Sequence, residues 1–264
     1  MDDQSFRLGD HGRYLACSMF EWLKNTKKCE RSILLAEPFP RPWQELLHER
    51  VWQYQFLTFS QRCRFHNCAK VLVGETHWRG VDGHQVNEDM KITISGHASL
   101  TLLGFENDFM DEIRTINVHR REFDDKQESD TQTGRACIDG TTVLSWHHVL
   151  NADYYGGRNL VVHEFAHHFD RRSGRMNGTP KFSNFSMQNR WEKVMEREYA
   201  DLCDAASSGR WTILRHYGAK NRREFFAVAT EAFFETPIRL KHSHFELYDI
   251  LLDFYNTDTA LWLA

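Results

Sequence analysis

The sequence predicts an α+β fold, mainly helical, with a small β-sheet inside one domain. Three observations carry that prediction. Apolar residues recur at the 3.6-residue period along most of the chain, as helices require. Two short stretches, Ile113–His119 and Thr141–Trp146, read instead as strands. No internal repeat, low-complexity tract or linker interrupts the chain after residue 37, so one domain is the simplest organisation.

A chain of 264 residues can bury a substantial core. Its composition is that of an ordinary globular protein, and a net charge of −4 gives no sign of a nucleic-acid or membrane surface. No apolar run approaches the ~18 residues of a membrane span, and Met1-Asp2-Asp3-Gln4 lacks the basic start of a secretion signal. A cytoplasmic protein is expected, with no membrane and no direct nucleic acid among its partners. Cys17, Cys29, Cys63, Cys68, Cys137 and Cys203 are scattered without a paired framework and read as reduced thiols.

Residues 1–18 are polar and read as a loose extension, with the folded domain over 19–264 and Met19 as an alternative start. Met19–Lys24 opens an amphipathic segment that Pro38, Pro40 and Pro42 end. From Trp43 to Leu57 the apolar spacing is helical, with Pro42 suited to the first turn. Ser60 is the expected N-cap of a helix over Arg62–Val73. Cys63, His66 and Cys68 fall in that helix, too crowded to face one ion together, and are expected in core or surface roles.

Residues 74–87 read as a loop or short hairpin. Glu88 and Asp89 give a negative first turn to a helix that runs to about Leu103 and is ended by Gly104. Asp124–Gly134 is a polar loop between the two strands. His147 and His148 follow the second strand, either as a solvated turn or as neighbours of a site. Arg171–Asn184 is a loop expected to rim the cleft. Met187–Ala205 is helical and broken by Ser207-Ser208-Gly209. A turn at Tyr217–Asn221 leads into a helix to Glu235, stopped by Pro237, and a last helix covers about Phe245–Tyr255.

The stretch that organises the rest is Gly157 to Asp170. On a helix, 100° per residue sets His163 and His167 on one face with Glu164 to the side of both. Two neutral imidazoles so placed can share one metal ion. A zinc held by them and one further group keeps a position for water, whose proton Glu164 can take. This is the His-Glu-x-x-His pattern of zinc hydrolases. The bland alternative is a buried helix with hydrogen-bonded histidines. The mostly apolar residues Asn159–Val162, Phe165 and Ala166 favour the metal, because buried His and Glu need partners.

The third ligand is the deciding question. A metzincin arrangement fails, since Asp170 and Ser173 stand where Gly and His are needed. Glu192, Glu196 and Glu198 are candidates by distance, but Lys193 and Arg197 beside them explain them as solvated ion pairs. Glu224 and Glu231 lie seven apart, within about 20° on one helix face. Their neighbours are Phe225, Phe226, Val228, Phe233 and Phe234, among which a carboxylate needs a positive partner. Glu224, nearer the helix start, is the expected ligand. Glu231 then either accepts the N–H of a ligand histidine or is a satisfied core acid. Tyr217 could donate to the oxyanion of a tetrahedral intermediate, or be an ordinary turn tyrosine. A fourth protein ligand, with His147 or Asp170 as nominees, would instead mark a structural ion; Asp170 reads more simply as a helix-end residue.

These residues resemble the Mlc titration factor A (MtfA) family of cytosolic bacterial zinc peptidases. The likeness is carried by Leu35-Ala36-Glu37-Pro38-Phe39-Pro40, by Glu88-Asp89-Met90-Lys91, by Gly157 through His163-Glu164-Phe165-Ala166-His167 to Asp170, and by Tyr217 through Glu224 to Glu231-Ala232-Phe233-Phe234. It covers roughly residues 19–260. The resemblance implies a single zincin-like domain with a gluzincin-type site: one zinc (Zn2+) per chain held by His163, His167 and Glu224, with Glu164 as general base and Tyr217 as transition-state stabiliser. It implies an aminopeptidase-like metallopeptidase that hydrolyses a peptide or protein substrate with a zinc-activated water. The alternative it raises is a non-catalytic regulatory protein that binds a DNA-binding transcriptional repressor. The Tyr-to-Glu spacing is also similar to that of the catalytic domain of anthrax lethal factor. The chain departs from the family in residues 1–18 and at His168-Phe169, where relatives often carry a polar residue and Leu, and no motif encodes the repressor partnership.

Overall fold

The structure, a computed structural model, describes residues 27–124, 131–137, 139–151 and 158–263, and the chain divides into two units, 1–38 and 39–264. The described part of the first unit contains helix α1, residues 27–36. The expected extension over 1–18 and the expected domain start at Met19 lie outside the described residues.

The second unit begins with α2 (Arg41–Arg50), with proline in its first turn, where the missing N–H is not needed. The helix stops at the extended Val51, and Trp52–Phe56 forms a short 3-10 helix. The single helix expected over Trp43–Leu57 is therefore split. Trp52 and the buried Gln53 turn away to donate to Glu235, at 2.9 and 3.0 Å, and such tertiary bonds outweigh local propensity. α3 (Phe59–Glu75) starts at Thr58 rather than Ser60. Thr58 has Gln61 three residues on and forms a reciprocal capping box with it; Ser60 has Cys63 there. α4 (Glu88–Leu100) is capped by Asn87, which accepts from the Met90 N–H at 2.9 Å, and is buried from Ile92 onward. It ends before Leu103. Gly104 has another use: a Cβ there would run into the backbone carbonyls of Tyr255 and Asn256, so the glycine permits two segments to meet closely.

Four short strands form the sheet: β1 (His77–Gly80), β2 (Thr115–His119), β5 (Gly134–Ala136) and β6 (Thr141–Ser145), in the order β1-β2-β6-β5. β3 (Phe123–Asp124) and β4 (Thr131–Gln132) form a separate two-stranded ribbon. Ile116 pairs in parallel with Trp78 on one side and Thr142 on the other, while β5 runs antiparallel to β6. β1 lies in the stretch 74–87 read as loop or hairpin, and the end of β3, all of β4 and the start of β5 lie in the stretch read as a polar loop. None of these segments is a run of β-branched residues; pairing with a neighbour makes them strands.

β6 passes directly into α5 (Trp146–Leu150). After it come α6 (Leu160–Arg171), α7 (Phe185–Ser208), α8 (Arg222–Glu235), α9 (Pro237–Ser243) and α10 (Phe245–Tyr255). α7 outlasts its expected end because Ser207 and Ser208 fold their hydroxyls onto the Asp204 carbonyl; Gly209, at φ +67°, closes it. Pro237 both ends α8 and opens α9, which the sequence reading lacks. α6 and α8 pack on each other and are buried over Val161–Asp170 and Glu224–Glu235. Trp191, Phe226, Phe254, Phe169 and Tyr255 form an aromatic core beside them. The fold is mainly helical α+β with a small sheet, as the sequence predicts. No described helix is long and apolar enough to cross a membrane.

His168, one of the departures from the family pattern, ties α6 to the sheet: its Nε2 lies 2.8 Å from the Thr142 hydroxyl. Burial pushes its pKa down to about 3, with Arg171 adding to the effect. An unfolded histidine titrates near 6.5, so between pH 6.5 and about 3 the unfolded chain binds a proton that the folded chain refuses. Stability is fully present above that window and declines as pH falls through it. His168→Gln is expected to flatten the decline by up to ~1.4 kcal/mol per pH unit; urea midpoints at pH 7, 5.5 and 4.5 measure the slope.

Candidate metal centre

Two asparagine caps bring the ligand candidates together. Asn159 accepts from the Val162 N–H at 3.1 Å and starts α6, so that His163 and His167 come one turn apart facing α8. Asn221 accepts from the Glu224 N–H at 2.9 Å and starts α8, which puts Glu224 in its first turn. His163 Nε2 is 3.0 Å and His167 Nε2 is 3.4 Å from Glu224 Oε2. The three donor atoms lie within 4.8 Å of one another, and all three residues are buried.

The protonation chemistry of this cluster fits a cation. Glu231 Oε1, 2.8 Å away, accepts the Nδ1 proton of His163. A neutral His163 then turns its Nε2 lone pair toward the Glu224 carboxylate, and His167 Nε2 is aimed at the same oxygen. Lone pairs meeting a carboxylate repel; a metal ion between them converts the repulsion into three bonds. Metal-free, the cluster must take up a proton instead. Burial pushes His163 down, but Glu224 and Glu231 outweigh it and hold its pKa up at about 10. Glu224 is held well below the usual carboxylate range: its two histidine bonds outweigh the opposing effect of burial. Glu164 sits beside them, 3% exposed, with Oε2 lacking a hydrogen-bond partner among the described residues. Burial raises its pKa to about 7, against the pull of His163.

Behind His163 lies a buried polar chain. Glu231 also accepts from the Asn159 N–H at 2.8 Å and from the Arg215 guanidinium. The Asn159 side-chain amide reaches Glu235 Oε1 at 2.6 Å and His97 Nδ1 at 2.9 Å. In front of the cluster opens a cavity of about 750 Å³, walled in part by Thr133 and Gly134, by His147 and His148, and by Glu164 and Tyr217. The Tyr217 ring centroid stands 6.0 Å from that of His163. A Cβ on Gly134 would run into Glu164 Oε1 and Leu160 Cδ1, so only glycine lets β5 lie this close to α6.

A family model described as glucose-regulated metallo-peptidase M90 matches residues 22–256. The chain belongs to that family. An uncharacterized protein of Synechocystis sp. is 29% identical over 236 residues, covering 84% of this chain and 86% of the relative. Mlc titration factor A of Escherichia coli is 24% identical over 231 residues, covering 82% and 86%. Mlc titration factor A of Yersinia pestis is 30% identical over 130 residues, covering 48% of each. Membership of the M90 family makes this a metallopeptidase-family chain and implies a metal cofactor, for which His163, His167 and Glu224 form a donor set.

Within the M90 chain, the residues nominated by sequence separate clearly. His163, His167 and Glu224 come together, Glu164 adjoins them, and Tyr217 stands on the cavity wall. Glu231 takes the first of its two readings, as acceptor for a His163 N–H. Asp170 lies apart from the cluster and accepts the Gly178 N–H at 3.0 Å, organising the loop after α6. That loop does not rim the cavity as expected. Gly178 instead accepts from Trp191 Nε1 at 3.0 Å and abuts the Arg222 carbonyl, so the segment buttresses α7 and α8. Glu192, Glu196 and Glu198 face Gln188, Arg222 and His244. His66 stacks on Phe39, with Cys63 exposed and Cys68 buried, as the bland reading held. Sequence reasoning missed Asn159, Arg215, Glu235 and Gly134. Asn159 alone left a signal, as a cap residue directly before an apolar helix. Glu231→Gln is expected to weaken zinc binding 10- to 100-fold, because His163 loses the carboxylate that orients it. Chelator competition measures the affinity, and an unchanged far-UV spectrum checks the fold.

Proposed function

We propose that this chain is a zinc-dependent peptidase of the gluzincin type, zincin-like at its core, with His163, His167 and Glu224 holding the ion. The observation that carries the reading is the convergence of these three donors in a buried cluster, of which His163, with the neighbouring Glu164, lines a peptide-sized cavity. When bound, zinc supplies Lewis acidity, which makes water a nucleophile near neutral pH and polarises a peptide carbonyl. Glu164 takes the proton of the attacking water on its carboxylate and delivers it to the leaving amine. Glu231 keeps the proton of His163 on Nδ1 and so leaves Nε2 as the donor atom. Tyr217 donates its phenol to the oxyanion.

The resemblance to the family supports an aminopeptidase-like activity on a peptide or protein substrate. The described cysteines are all free thiols, which supports the cytoplasm as the compartment. A second reading has its own support: relatives of this chain are named for titrating Mlc. On that reading the chain is a regulatory protein that binds a transcriptional repressor and uses its metal for folding.

Zinc content and hydrolysis of a panel of aminoacyl and short-peptide substrates separate the two. Glu164→Gln is expected to keep one zinc per chain and lose ~10²–10⁴ in turnover. Full turnover in that variant would sink the mechanism, and bound zinc with no turnover in either protein would favour the regulator. Glu224→Ala is expected to lose the metal. Gly134→Ala is expected to keep the metal and lower kcat, since the new methyl displaces the Glu164 carboxylate; kcat unchanged from the parent would remove Gly134 from the site.

A further inference from the structure

We propose that the cavity beside the metal centre selects peptides that carry carboxylates. The inference takes from the peptidase reading only that the ligand is a peptide. Its basis is the sign of the charges on the described walls. Three cationic side chains line the cavity, Arg158, Arg215 and Lys220, against two acids, Glu164 and Glu231. Both acids are nearly inaccessible, at 3% and 1% exposure, and Glu231 is already consumed by His163, Arg215 and the Asn159 N–H. The cations are more open to the cavity, although Arg215 is itself bonded to Glu231. Arg158, just before α6, and Lys220 are exposed, and the Arg215 side chain keeps 29% of its surface open. A divalent ion held by His163, His167 and Glu224 would add one net positive charge beside His163, which lines the cavity.

Among the described residues the accessible walls are thus positive although the whole chain carries −4. A concave wall of one sign concentrates the field and draws in ligands of the other sign. Guanidinium groups also match a carboxylate geometrically, through paired N–H donors. Arg158 stands at the start of α6, while Arg215 and Lys220 flank Tyr217 on the turn before α8. A bound peptide therefore meets cations from two separate elements of the wall. Two carboxylate sources fit this chemistry, acidic side chains and a free C-terminus.

The test is equilibrium binding to the zinc-loaded Glu164→Gln protein, so that binding is read without turnover. The probes are octapeptides of one neutral frame bearing two Glu, two Gln or two Lys, each with a free or an amidated C-terminus. The Glu peptides are expected to bind at least tenfold tighter than the Lys peptides at low salt. That advantage should shrink at 0.5 M salt and fall in Arg158→Glu and in Lys220→Glu. Weaker binding of every peptide on amidation, whatever its side chains, assigns the recognised carboxylate to the terminus; a Glu-over-Lys advantage that persists on amidation assigns it to the side chains. Equal affinities across all six peptides, free and amidated alike, a preference for Lys, no binding by any peptide, or a preference untouched in the Arg158→Ala/Lys220→Ala double variant would each overturn the proposal. The same peptides given to the wild type separate the two readings. Tight binding of the Glu peptide with no cleavage defeats the peptidase and keeps the selectivity, whereas equally fast cleavage of Glu and Lys peptides does the reverse.

Discussion

The meeting of two imidazole nitrogens with one carboxylate oxygen, in the buried seam between α6 and α8, is the constraint on which the rest of the structure depends. None of the three groups is stable there alone, because burial works against the charge on each. Their side chains reach the same point only if α6 and α8 pack along their full length and each begins at its asparagine cap. The surrounding fold supplies that condition. Trp191 and Phe254 pack on Phe226 of α8, and the sheet supports α6 through Thr142 and His168.

The electrostatics of the site are layered. Innermost, Glu224 and the two histidines form the candidate donor set. Behind them, Glu231 fixes which nitrogen of His163 is free, and Arg215 and the Asn159 N–H keep Glu231 ionised against the effect of its burial. Farther back, Glu235 holds bonds from Trp52, Gln53 and Asn159, yet burial still pushes its pKa up to about 7. The polarity of the site therefore extends well into the helical core, and α8 carries three carboxylates, Glu224, Glu231 and Glu235, among its phenylalanines.

Much of this was legible in the sequence because the relevant signals are local. His163, Glu164 and His167 are a helical repeat, and Glu224 is an acid where an apolar helix has no other use for one. The helical body followed from periodicity, and α10 falls where the spacing put it. What stayed hidden depends on partners distant in the chain. β1 is a strand only because β2 lies beside it. The helix expected to reach Leu57 breaks because Trp52 and Gln53 have an acid to meet some 180 residues later. Gly134 looks like any loop glycine until Glu164 is seen against it. The loop after α6 was placed at the cleft by proximity in sequence, whereas its contacts lie with α7 and α8.

Asn159 joins more elements than any single bond in the site. Its carbonyl oxygen caps α6, its N–H meets α8 through Glu231, and its amide reaches both Glu235 and His97 of α4. Helices ordinarily fray from their ends, and amides there exchange with solvent through small local openings. At this end no such opening is available, because releasing the first turn breaks bonds to two other helices at once. The first turn of α6, though only a few residues from the start of a helix, should exchange with solvent on the timescale of the whole domain's unfolding.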